Sequence, residues 1–80
     1  MDHMSITDKV LTVFRKTVSS DTTDINENTK KADVLAWDSM NHLIFLAELE
    51  SEFNIRFSTE EIVDADSMEF IISSIERKLN

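Results

Sequence analysis

The sequence predicts an all-α bundle of three main helices plus one short helix, with a long loop between helices I and II. Three observations lead there. Apolar residues recur at spacings of three and four in separate segments, the period of a helix with one buried face. A Ser or Asp with an acid three positions later precedes several of these segments, the pattern that caps a first turn. Gly and Pro are both absent, so the turns fall to Asn, Asp, Ser and Thr, which bond their own backbone and tolerate tight geometry.

Eighty residues make one small domain, 1–80, with residues 1–4 expected as a disordered tail. This is near the size at which a single core is just sufficient. Without cysteine there is no disulfide framework and no thiolate metal site, so the 41% of hydrophobic residues must hold the core by packing alone. The opening Met1-Asp2-His3-Met4 is polar, Met4 is a second candidate start, and no run approaches a membrane span. A cytoplasmic monomer that does not insert into membranes is the expectation.

Ser5 to Val18 reads as helix I. Ile6, Val10, Val13, Phe14 and Val18 form one stripe, Lys9, Arg15 and Lys16 take the other side, and Ser5 with Asp8 marks the start. Ser19 to Ala36 is a polar loop, long enough to need pins, for which Ile25, Val34 and Leu35 are the candidates. Asp24, Asn26 and Asn28 begin like a calcium loop, but Thr29 stands where the glycine belongs and Leu35 where the final glutamate belongs. A calcium site of that type is not expected.

The stretch from Trp37 to Phe53 organises the rest. Asp38 or Ser39 can accept a first-turn amide, and helix II runs from Ser39 to about Ser51. Leu43, Phe45, Leu46, Leu49 and Phe53 are expected in the core. Met40, Ile44, Ala47 and Ser51 cluster on a second, partly exposed face beside Glu48. Two readings of Ile44 are open: exposed on that face, or packed under the entering loop with Trp37 over it. His42 is expected to make a surface or loop contact, since no base, acid or nucleophile accompanies it. Neither His42 nor the terminal His3 has the spaced partners of a zinc site.

Asn54 to Phe57 reads as a short extended link that sends Phe57 into the core. Ser58 with Glu61 opens a short helix III through Val63, and Asp64-Ala65-Asp66 ends it. Asp66 with Glu69 is expected to start helix IV, whose core stripe is Met68, Ile71, Ile72, Ile75 and Leu79.

Charge narrows the class of partner. The net charge is −8, and residues 38–69 hold nine acids against the single base Arg56. Such a field repels nucleic-acid phosphates and speeds encounter with basic protein surfaces. Nucleic-acid binding is not expected.

Asp38-Ser39-Met40, a long helix with acids, and then Glu48 to Ile62 as Glu-Leu-Glu-Ser-Glu-Phe-Asn-Ile-Arg-Phe-Ser-Thr-Glu-Glu-Ile resemble the acyl carrier protein family over roughly residues 6–79. In that family an Asp-Ser-Leu triplet carries phosphopantetheine on its serine. The resemblance implies a non-enzymatic carrier. Phosphopantetheine from coenzyme A would be joined to Ser39 by a phosphopantetheinyl transferase, with Asp38 supporting the modification. Acyl groups would ride on the arm as thioesters, in fatty acid, lipid or polyketide-type biosynthesis. The arm's cargo could lodge between helices II and IV.

The partners implied are acyl-transfer and acyl-modifying enzymes with basic docking surfaces, met through Met40, Ile44, Ala47, Glu48 and Ser51. Asp66-Ser67-Met68 repeats the triplet, but its register before the last helix is that of an unmodified cap. Ala36 stands where the family has a Gly, and Asn41 and Ile44 where it is commonly acidic, departures that resemble a specialised, free-standing member more than the general carrier. The alternative is an unmodified helical adaptor that binds one protein partner through the same face of helix II.

Overall fold

Four α-helices and a single 3-10 turn follow one another along the chain in the computed structural model, which describes residues 5–18 and 25–79. They are α1 (Ile6–Thr17), the 3-10 turn (Lys31–Asp33), α2 (Ser39–Phe53), α3 (Thr59–Asp64) and α4 (Met68–Leu79). The fold is the all-α bundle that the periodicity predicts. Among the described residues the only extended pairing is an isolated antiparallel bridge between Lys30 and Ser67. The expected tail at 1–4 and the loop segment 19–24 lie outside the described residues.

Each helix begins where a side chain can take up a free amide. The Ser5 hydroxyl accepts from the Asp8 N–H at 3.0 Å to start α1. Ser58 and Glu61 form a reciprocal box at α3: the hydroxyl accepts the Glu61 amide at 3.1 Å and the carboxylate accepts the Ser58 amide at 2.7 Å. Helix α4 differs from expectation. Its cap is the Ser67 hydroxyl, which accepts from the Phe70 N–H at 3.1 Å, while the carbonyl of Asp66 is engaged by the Lys31 N–H at 2.7 Å.

Helix α2 ends at Asn54, whose φ of 56° places it in the left-handed region. The amides of Asn54 and Ile55 both return to the Glu50 carbonyl, closing the last turn. In a chain without glycine, asparagine is the residue that tolerates this geometry. Glu50 also accepts the Phe57 amide on its side chain at 2.9 Å, which fastens the link between α2 and α3 and turns Phe57 inward.

The loop before α2 is held by backbone bonds to the start of α4. Lys31 donates to Asp66 and Met68 donates to Thr29, at 2.7 and 2.9 Å. The Thr29 hydroxyl accepts the Asn26 amide and the Asn26 side chain accepts the Asn28 amide, a tight turn made without glycine. Ile25 is buried and Val34 packs on the core, as expected, but Leu35 is 99% exposed. The Trp37 N–H donates to the Val34 carbonyl at 3.0 Å, which closes a turn with Leu35 at its corner, so Leu35 faces out.

The pin is instead Trp37. Its ring meets Phe14 of α1 at 5.0 Å and Phe45 of α2 at 5.8 Å, and those two phenyl rings meet at 5.1 Å, all edge to face. Around this triangle pack Val10, Leu46, Leu49, Met68, Ile71 and Ile75, all buried. Two further expectations are corrected. Leu79, at the last turn of α4, is 47% exposed, and Leu43 is 57% exposed because its place in the core is taken by His42.

Helices α3 and α4 are joined by the Glu61–Lys78 pair at 2.8 Å, and the same ammonium lies 5.7 Å over the Phe57 ring. The hydrogen bond from Lys78, and then that from the Ser58 amide, hold the Glu61 carboxyl below its ordinary value of 4.5.

Two predictions follow from these contacts. Asn54→Ala keeps a Cβ in left-handed geometry but loses the short polar side chain that makes asparagine tolerant of it, and lowers unfolding stability by about 1 kcal/mol, whereas Asn54→Gly stays near wild type; urea midpoints for the three proteins separate these outcomes. A carboxyl with a depressed folded value adds stability that is present above its ordinary value and disappears as pH falls through the folded one. The stability gap between wild type and Lys78→Met is therefore expected to narrow as pH drops from neutral to below 4.5. A gap that grows on acidification contradicts the pairing.

Candidate functional site

Asp38 and Ser39 stand at the tip of α2, where the loop delivers them. Asp38 is the cap: its Oδ1 accepts the Asn41 N–H at 2.9 Å, and its backbone carbonyl accepts from His42 at 2.8 Å. Ser39 is the first helical residue. It is exposed, and its hydroxyl makes no hydrogen bond among the described residues. A hydroxyl in this place is reachable and lies at the positive end of the helix dipole.

The loop that carries the pair is fixed from both sides. The Asn41 side-chain amide donates to the Ala36 carbonyl at 2.8 Å, returning the helix to its own entrance. One residue on, Trp37 is buried, and its indole N–H donates to His42 Nδ1 at 2.9 Å. An indole nitrogen can only donate, so Nδ1 must accept and the ring proton resides on Nε2. That nitrogen then donates to the Ile62 carbonyl at 2.8 Å, reaching the C-terminal half of α3.

His42 is therefore a buried relay between the loop, α2 and α3. Of the surface or loop contact expected from the sequence, the structure shows the loop contact, made by a buried ring and not at the surface. The sole tryptophan of the chain, with one donor to satisfy on burial, was the available signal. The positions His42, Phe45, Leu46 and Leu49 also follow the inner face of a helix, a pattern hidden because histidine does not count as apolar.

The second face of α2 is open. Met40 is 72% and Ile44 44% exposed, and Ala47, Glu48 and Ser51 are exposed beside them. Trp37 does not cover Ile44. Between Asp38 and Glu48 the helix carries no acid, so its start is apolar and its far end acidic. Of the far acids, Glu50 is committed to the backbone of the following link, which leaves Glu48 and Glu52 on the surface.

Beside Ser39 runs an open groove of about 360 Å³. Leu43 of α2 faces Ile62 and Val63 of α3 across it, with Lys31 and Asp66 also lining it. It lies between α2 and α3, not between helices II and IV where the sequence suggested a guest could lodge. Met68 is fully buried and contributes to the core instead. Ser67, the other candidate serine, is half-buried and uses its hydroxyl to cap α4. An exposed hydroxyl with an uncommitted oxygen and open space beside it fits a covalently attached arm at Ser39.

Among the described residues no group of three or more His, Cys, Asp and Glu side chains is placed to hold a metal ion, and no helix is long and apolar enough to cross a membrane.

What the fold and this site define together is a small helical bundle that presents an exposed serine at a helix tip. The chain is similar to an acyl carrier protein of Solidesulfovibrio magneticus, 28% identical over 75 residues that cover 94% of this chain and 96% of the relative. The resemblance drawn from the residues is thus matched by a curated protein over nearly the whole of both chains. No family model matches the chain.

The relay makes a direct prediction. His42→Phe leaves the buried indole N–H and the Ile62 carbonyl without partners and is expected to destabilise the protein by about 1–3 kcal/mol. Urea unfolding followed by the emission of Trp37 measures it. A stability unchanged from wild type contradicts the relay.

Proposed function

We propose that this chain is an acyl carrier whose phosphopantetheine arm is borne by Ser39. The observation that supports this most is the contrast between two identical triplets: the Ser39 hydroxyl is exposed and uncommitted at a helix tip, whereas that of Ser67 is used as a cap. A phosphopantetheinyl transferase joins the Ser39 oxygen to the pantetheine-bearing phosphorus of coenzyme A, breaks the pyrophosphate bond, and releases the adenosine bisphosphate half while the hydroxyl proton passes to the transferase. Asp38 supports this step from the position before the serine. One of its oxygens holds the cap and the other makes no hydrogen bond among the described residues. When attached, the terminal thiol of the arm holds an acyl group as a thioester.

The chain itself supplies placement and recognition and performs no catalysis. Met40, Ile44 and Ala47 offer an apolar contact at the serine end of α2, and Glu48 with Ser51 a polar one further along. Partners are the transferase and acyl-transfer or acyl-modifying enzymes of fatty acid, lipid or polyketide-type biosynthesis in the cytoplasm. Their basic surfaces are drawn by the acidic field, and weak contacts allow rapid exchange. Tethering raises the concentration of the cargo at each active site.

Incubation with coenzyme A and a broad-range transferase, followed by intact mass, tests the reading. Wild type and Ser67→Ala are expected to gain the mass of one phosphopantetheine, and Ser39→Ala to gain none. Unmodified wild type overturns the proposal and favours the adaptor.

A further inference from the structure

The groove beside Ser39 holds one basic side chain, Lys31. Its backbone is fixed, with the N–H on the Asp66 carbonyl at 2.7 Å and the carbonyl accepting from Val34 at 3.3 Å. The side chain is half-buried and forms no ion pair with any carboxylate among the described residues, although Asp66 lines the same groove. Neighbouring Lys30 does not line it.

An unpaired ammonium here is notable because its surroundings are so acidic. From Asp38 to Glu69 the chain has nine acids and one base, Arg56, which lies at the far end of α2 beside Ala47 and Ser51. Any anion attached to Ser39 therefore meets a negative field in which Lys31 is the cation sharing its groove. The rest of the lining is largely apolar and open, with Leu43 57% and Val63 75% exposed.

We propose that Lys31 is the counter-ion of the phosphodiester on Ser39, and that this pairing lays the arm along the groove between α2 and α3 instead of leaving it free to swing. The assignment rests on Ser39 carrying the arm. A compact ammonium on a flexible stem follows a phosphate as a point charge without fixed geometry, which suits a group that must also leave the groove when a partner docks. Leu43, Ile62 and Val63 then cover the apolar part of the arm. The ion pair is screened by salt, so occupancy of the groove falls as ionic strength rises.

The test uses protein first shown by mass to carry the arm, so that failure of modification is separate from failure of this inference. Phosphorus and amide NMR spectra are compared for wild type, Lys31→Met, Lys31→Arg and, as a control, Lys30→Met, each with and without the arm. In wild type, attachment is expected to shift the amides of Lys31, Leu43 and Val63 as well as those next to Ser39. The arm's methyl protons should show contacts to Leu43 and Val63. Lys31→Met loses these distant shifts and moves the phosphorus resonance, Lys31→Arg restores them, and Lys30→Met behaves as wild type. Shifts confined to residues around Ser39 in wild type overturn the proposal, as does a groove contact that persists unchanged in Lys31→Met.

Discussion

The hydrogen bond from the Trp37 indole to His42 is the interaction on which the geometry of this protein depends. It is buried, its donor has no alternative role, and it fixes which histidine nitrogen carries the proton. Through that proton the same ring reaches the Ile62 carbonyl, so one side chain ties the loop, α2 and α3 together. The aromatic triangle with Phe14 and Phe45 adds α1 to the same knot. Asp38 and Ser39 follow Trp37 immediately, which is why a serine at the end of a polar loop is held at a defined place on the surface.

That anchor also explains the shape around the serine. With His42 turned inward, α2 is rotated so that Leu43 faces α3 instead of the core, and the space between them becomes the groove. The apolar face formed by Met40, Ile44 and Ala47 lies on the solvent side of the same helix. A more conventional acidic start to α2 would strengthen long-range attraction, and the arrangement here gives the first turns to apolar contact while leaving charge to Glu48 and Glu52. Charge speeds encounter, and apolar fit decides which partner stays.

Much of this was legible in the residues. The helices, their caps at Ser5 and Ser58, and the buried stripes of α1 and α4 follow from periodicity and from acids placed three positions beyond a hydroxyl, and the polar pair Asp38-Ser39 marks the start of α2. The exposed hydroxyl at Ser39 could be anticipated because capping chemistry is local. What was not legible depends on distant partners. Leu43 and Leu35 look like core residues by type, and only the seat of Trp37 shows why they are not. A loop contact for His42 was one of the two expected, but its burial follows only from the indole donor that needs an acceptor. Ser67 caps α4 as its register implied, but the start expected at Asp66 is displaced because Asp66 lends its backbone to Lys31 across the bundle, a pairing that no local pattern announces. Lys31 itself is an ordinary loop lysine in the sequence, and its position beside Ser39 is a product of that same pairing.

The most direct measurement of the central claim is hydrogen exchange at the Trp37 indole proton, observed by NMR in the native protein. If the indole is locked onto His42 within the core, its proton exchanges only when the whole domain opens, at a rate matching the slowest backbone amides of α1 and α4. An indole proton that exchanges at the rate of a solvent-exposed tryptophan, while those amides remain protected, would mean that the loop is not anchored as described.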